Sequence, residues 1–113
     1  MKVWVLSLGI LALVAAPADE RVDGWRGRIS DSMCGAKHQP MEGVEMTDRE
    51  CTLATVRGGS KFVFVLDEND EVYQIANQDH KDLVTYAGEH VTLSGTRHEH
   101  TLTVSRLKKP AAK

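Results

Sequence analysis

Both cysteines of the chain, one of its five histidines and three of its four methionines fall between Ser30 and Cys51: Met33, Cys34, His38, Met41, Met46 and Cys51. Sulfur and imidazole at this density point to three chemistries. In an oxidising compartment two cysteines default to a disulfide, Cys34–Cys51. Closing a loop of about 17 residues would stabilise the fold by roughly 3 kcal/mol on the chain-entropy account. The second chemistry is a soft-metal site. Thiolate, thioether and imidazole suit Cu(I), and Cys34, His38, Met41 and Cys51 can also be set out as ligands for Zn(II). The spacing Cys34-x3-His38-x2-Met41 matches no specific zinc pattern. The third is a nucleophilic thiol, Cys34 beside His38. It lacks an orienting partner and an oxyanion device, and Cys51 stands ready to oxidise it.

The compartment decides among them. Lys2 precedes the apolar run Val3–Ala16, and Ala16-Pro17-Ala18 is a small-x-small cleavage site followed by Asp19 and Glu20. Residues 1–18 therefore read as a signal peptide. The apolar run is shorter than the ~20 residues that span a bilayer. With no cysteine at the cut, neither a lipid anchor nor a membrane anchor is expected after cleavage. The destination is the bacterial periplasm or the exterior.

Other chemically suggestive residues have plainer readings. His98 and His100, with His90 nearby, can clip a metal if they alternate on a strand, but a solvated turn fits their setting better. Asp67 to Glu71 has the composition of a calcium loop without its glycine or ligand spacing. Ser30-Asp31-Ser32 has no histidine at a triad position, so Asp31 or Ser32 reads as a turn residue that satisfies backbone groups. Trp25, Phe62, Phe64, Tyr73 and Tyr86 can form a stacking platform, although their alternation suits core packing.

These residues must be positioned by one small domain, residues 19–113. Net charge is −2, and −3 without Lys2; with a pI near 6.2 and 5% aromatics this excludes a phosphate-tracking nucleic-acid binder. The length also excludes a two-domain cofactor enzyme. Residues 24–31 alternate, with Trp25, Gly27 and Ile29 on one face, and Gly27 suggests a bulge or bend. Residues 32–46 read as an ordered loop. Thr47-Asp48-Arg49-Glu50 is a capping box opening a helix over 48–57, with an apolar stripe of Cys51, Leu53, Ala54 and Val56 and a stop at Gly58-Gly59. Residues 61–66 and 71–76 form a hairpin about the turn at 67–70. A second helix over 80–87, capped by Asn77 or Asp79, turns Leu83, Val84 and Ala87 inward. Strands at 90–96 and 102–107 flank the tip Arg97-His98-Glu99-His100, and Lys108–Lys113 is a basic tail expected to fray. Five strands with a helix between the third and fourth is the order of an OB-type barrel. The fold is thus expected to be mainly β, a small five-stranded OB-like barrel with one or two short helices. An antiparallel α+β sandwich is the alternative.

The motif Trp25-x-Gly27-x-Ile29-Ser30-Asp31-Ser32-x-Cys34-Gly35-x-x-His38 resembles the opening of a family of small exported bacterial proteins of unknown function. The likeness runs on through Cys51-Thr52-Leu53, Gly58-Gly59-Ser60-Lys61-Phe62-Val63-Phe64 and Val72-Tyr73-x-Ile75-Ala76-Asn77-Gln78. It continues in Ala87-Gly88-x-x-Val91-x-Leu93-x-Gly95-Thr96 and Thr101-Leu102-Thr103-Val104, covering roughly residues 24–107. Members often carry a further cysteine one helical turn after Cys51, where Thr55 stands here. A Cys-x3-Cys pair with Cys34 would suit a metal or a redox pair; two cysteines favour a simple bridge. If the family binds metal, this member is impaired.

The expectation is a non-catalytic, exported binding or structural module without a cofactor, braced by Cys34–Cys51. Its partner would be a small ligand, a glycan or another envelope protein. A copper or zinc binder using Cys34, His38, Met41 and Cys51 is the alternative.

Overall fold

The computed structural model describes residues 19–36 and 46–110. Residues 1–18, expected to be a signal peptide, His38, Met41 and the last residues of the basic tail lie outside them. The strands are β1 (Glu20–Asp31), β2 (Phe62–Leu66), β3 (Val72–Ile75), β4 (His90–His98) and β5 (Thr101–Lys108). Helix α1 (Asp48–Arg57) lies between β1 and β2, and α2 (Lys81–Thr85) between β3 and β4.

The strands close into a barrel in the order β1-β2-β3-β5-β4, with β3 and β5 parallel and the other neighbours antiparallel. This is the OB-like arrangement, and closure replaces the sandwich alternative. β1 is long enough to pair twice: its first part runs beside β4, from Glu20 to Arg28, and its second beside β2, from Gly27 to Asp31.

The alternation of the strands sets the core. Ile29, Phe64, Val91, Leu93 and Leu102 are fully buried, joined by Tyr73, Ile75, Val104 and Leu107. β2 is buried on both faces, Phe62 to Val65, as its unbroken apolar run predicts. The bulge expected at Gly27 lies instead between Val22 and Trp25, where Gly24 takes φ +70° and the β1–β4 register slips. Gly27 serves close approach: a Cβ there would run into the Val65 carbonyl oxygen and the Phe64 ring.

α1 spans the expected residues, and the Thr47 hydroxyl accepts from the Glu50 N–H at 3.1 Å. Its deepest residue is Thr52 rather than an apolar one; Leu53 and Val56 are partly buried against the core, and Ala54 is exposed. α2 is shorter than expected and is capped by His80, whose Nδ1 accepts from the Asp82 N–H at 3.1 Å. Leu83 and Ala87 are buried, but Val84 is 53% exposed. Asn77 is not a cap: its amide bonds both the N–H and the carbonyl of Val104, at 2.9 and 2.8 Å, and sews the loop to β5.

Candidate functional site

The sulfur cluster sits where β1 leaves the barrel. Asp31 is fully buried, and its Oδ1 accepts from the N–H groups of Met33 and Cys34 at 3.1 and 3.0 Å. Ser32 Oγ accepts from Lys61 N–H at 3.0 Å, and Ser30 Oγ donates to the Gly35 carbonyl at 3.0 Å. This run is a backbone-satisfying turn, as its composition suggests. Two buried oxygens, Asp31 Oδ2 and Thr52 Oγ1, have no hydrogen-bond partner among the described residues.

Cys34 and Cys51 are free thiols in this structure, both half-buried, so the expected disulfide is not formed here. They are nevertheless neighbours across the turn. Burial pushes the Cys34 thiol up from its ordinary range, and the Asp31 carboxylate and the Cys51 thiol beside it push the same way. A protonated thiol is a poor nucleophile, which argues against Cys34 as a catalyst. Among the described residues no three His, Cys, Asp or Glu side chains converge as metal ligands. His38 and Met41 of the soft-metal set lie outside those residues.

The remaining histidines disperse. His98 pairs with Asp19 at 3.3 Å, His90 pairs with Asp67 at 3.4 Å, and His100 stacks on Tyr73 with ring centroids 5.4 Å apart. β4 ends at His98 and Glu99 takes φ +56°, so His98 and His100 do not alternate on one strand and form no clip. The acidic turn does not converge on a cation either. Asn69 Oδ1 accepts from Glu71 N–H at 3.0 Å, and Glu71 Oε2 receives the Tyr73 hydroxyl at 2.8 Å.

A second site lies at the barrel mouth. There a cavity of about 730 Å³ is lined by Trp25, Arg26, Leu66, Asp67, Tyr73 and Arg97, among others. It adjoins a shallower hollow formed by Glu71, Tyr73, Arg97, Glu99 and His100. Phe62 and Phe64 are core residues, as is most of Tyr73, while Tyr86 packs on the core from outside. Trp25, however, meets Tyr73 edge-on at 5.3 Å, and with His100 the three rings make a row along the mouth. The Arg97 guanidinium stands 5.8 Å from the centre of the Trp25 ring and 3.5 Å from Glu20. Burial raises the Tyr73 hydroxyl pKa, with Glu71 adding to the rise.

Arg97 and His100 were expected only as parts of a hairpin tip. The signal that finds Arg97 is the β4 alternation: positions 91, 93 and 95 face inward, and 97 is the next of that series. Among the described residues no helix is long and apolar enough to cross a membrane. Comparison of the chain with protein-family models, with curated proteins and with solved structures finds no match.

Proposed function

We propose that this chain is an exported, non-catalytic binding module of the bacterial envelope, which receives a small ligand in the mouth of its barrel and is braced by a Cys34–Cys51 disulfide. One observation carries the binding reading. A column of otherwise apolar inward positions ends in Arg97, set beside Trp25 and Tyr73 over an open cavity. The guanidinium, partly exposed and only loosely paired with Glu20, stays open to the cavity beside the Trp25 ring. Concave sites with aromatic walls and a few convergent polar groups, often in the mouths of barrels, are what small-molecule recognition uses.

The brace is supported by the proximity of the two thiols, close enough for Cys51 to act on Cys34. Adjacent free thiols equally favour the second reading, a Cu(I) or Zn(II) site completed by His38 and Met41. Intact mass of the natively purified, unreduced protein separates them: the brace predicts the loss of two hydrogens, the metal an added ion. The same spectrum tests export, for which the chain should begin at Asp19. Binding is tested by amide NMR shifts of the full chain against a library of small polar compounds. Hits that move Trp25, Tyr73, Arg97 and His100 support the mouth as the site; a library that leaves all four unmoved overturns it.

A further inference from the structure

The charges at the mouth narrow the ligand class. Arg97 and Arg26 supply two positive charges to the two adjoining hollows, against four carboxylates from Asp67, Glu68, Glu71 and Glu99. The positive group on the inner wall is Arg97, whose place in the inward-facing series of β4 brings it beside Trp25. Its pair with Glu20 is loose, 3.5 Å long with side chains 36% and 63% exposed, and such a pair contributes little. The planar fork of a guanidinium held against an aromatic ring suits a carboxylate, which it can bind through two parallel hydrogen bonds.

The acids lie on the exposed rim: Asp67, Glu68, Glu71 and Glu99 are all solvent-accessible. The two signs meet around Tyr73, whose hydroxyl donates to Glu71 Oε2 at 2.8 Å and which lines both hollows together with Arg97. Opposite charges therefore line the same hollow as Tyr73, beside a row of three rings. A simple carboxylate entering here meets four like charges, and a simple amine meets Arg97 at the inner wall. A ligand carrying both groups close together offends neither.

We infer that the barrel mouth binds a small amphoteric molecule of the amino-acid or short-peptide class, with its carboxylate on Arg97, its ammonium group toward Glu71 and Glu99, and its side chain along Trp25, Tyr73 and His100. The inference rests on the binding-module reading and deepens it. A cavity of about 730 Å³ is of the size that small ligands occupy.

The test uses the exported protein, whose chain from Asp19 holds Trp25 as its sole tryptophan. Its fluorescence is titrated with L-phenylalanine, 3-phenylpropionate and 2-phenylethylamine. L-phenylalanine should saturate the signal, with each one-charge analogue at least about tenfold weaker, the value of one lost charge-assisted hydrogen bond. Arg97→Lys, which keeps the charge and loses the fork, should weaken L-phenylalanine by about tenfold at an unchanged Tm. Glu71→Gln should weaken L-phenylalanine and strengthen 3-phenylpropionate, a crossing that general unfolding does not produce. Equal affinity for the amphoteric probe and either analogue would overturn the assignment, as would indifference of L-phenylalanine binding to both substitutions. Absence of binding by all three probes overturns it too. In that event the binding-module reading stands or falls separately, on whether any library compound moves the same four residues in the NMR titration.

Discussion

Asp31 joins the turn to the thiols, and two outcomes follow from its surroundings. One carboxylate oxygen holds two backbone N–H groups while the other is buried without a partner among the described residues. Asp31→Ala frees both donors and should cost about 1–3 kcal/mol in denaturant unfolding. Asp31→Asn keeps the acceptor and removes a buried charge, so it should retain most of the stability. Because the Asp31 charge helps to raise Cys34, the reduced Asp31→Asn protein should also alkylate at Cys34 at lower pH than the parent. The sign for stability follows from the same shift. A thiol whose folded pKa is raised stays protonated when its unfolded counterpart has ionised, so its contribution is complete below about pH 9 and is lost as pH rises toward the folded value. Melting curves of the reduced protein between pH 8 and 10 should show this decline, with a smaller one in Cys34→Ser. An identical decline in both would assign the alkaline loss elsewhere.

At the scale of elements, the strands and α1 were legible because each carries its own period or cap. β2 is an unbroken β-branched and aromatic run, β4 alternates, and Thr47 sits three residues before Glu50. What was not legible depends on tertiary contact. Asn77 looks like a helix cap in sequence, yet its amide is drawn to β5 because Val104 offers a donor and an acceptor together. β1 begins at Glu20, earlier than the alternation over 24–31 suggests, since the Gly24 bulge breaks the period. Gly27 is the most exacting position in the strand. A methyl group there meets the Val65 backbone as well as the movable Phe64 ring, so Gly27→Ala cannot be accommodated by a rotamer change alone. It should destabilise by at least about 2–3 kcal/mol in urea unfolding, whereas Gly24→Asn, in open space at positive φ, should cost far less. Comparable losses at the two sites would mean that β1 lies differently against β2.

For the molecule as a whole, the barrel closes on itself but α1 does not belong to it. The helix hangs on a connection that runs from Ser32 to Thr47, anchored by Thr52, Leu53 and Val56 and by the Arg49 guanidinium on the carbonyls of Val84 and Thr85 at 3.0 and 2.9 Å. The sulfurs were legible as a pair from their number alone; the mouth was not, because Trp25, Tyr73, Arg97 and His100 come from separate elements and converge only when β3 lies parallel to β5. A bridge between Cys34 and Cys51 would fasten the exit of β1 to the first turn of α1 and close a loop of about 17 residues in the unfolded chain. In a domain of this size about 3 kcal/mol corresponds to a fall in Tm of roughly 12–24 °C. Cys51→Ser should therefore melt that far below the unreduced parent, and reduction of the parent should lower its Tm to match. The far-ultraviolet spectrum below the transition should keep its β character, since the barrel core contains neither cysteine. Chelator should leave the parent unmoved if the sulfurs are bridged and should destabilise it if they hold a metal. A parent whose Tm is indifferent to reductant would remove the brace, and the two thiols would then have to be explained by what they bind.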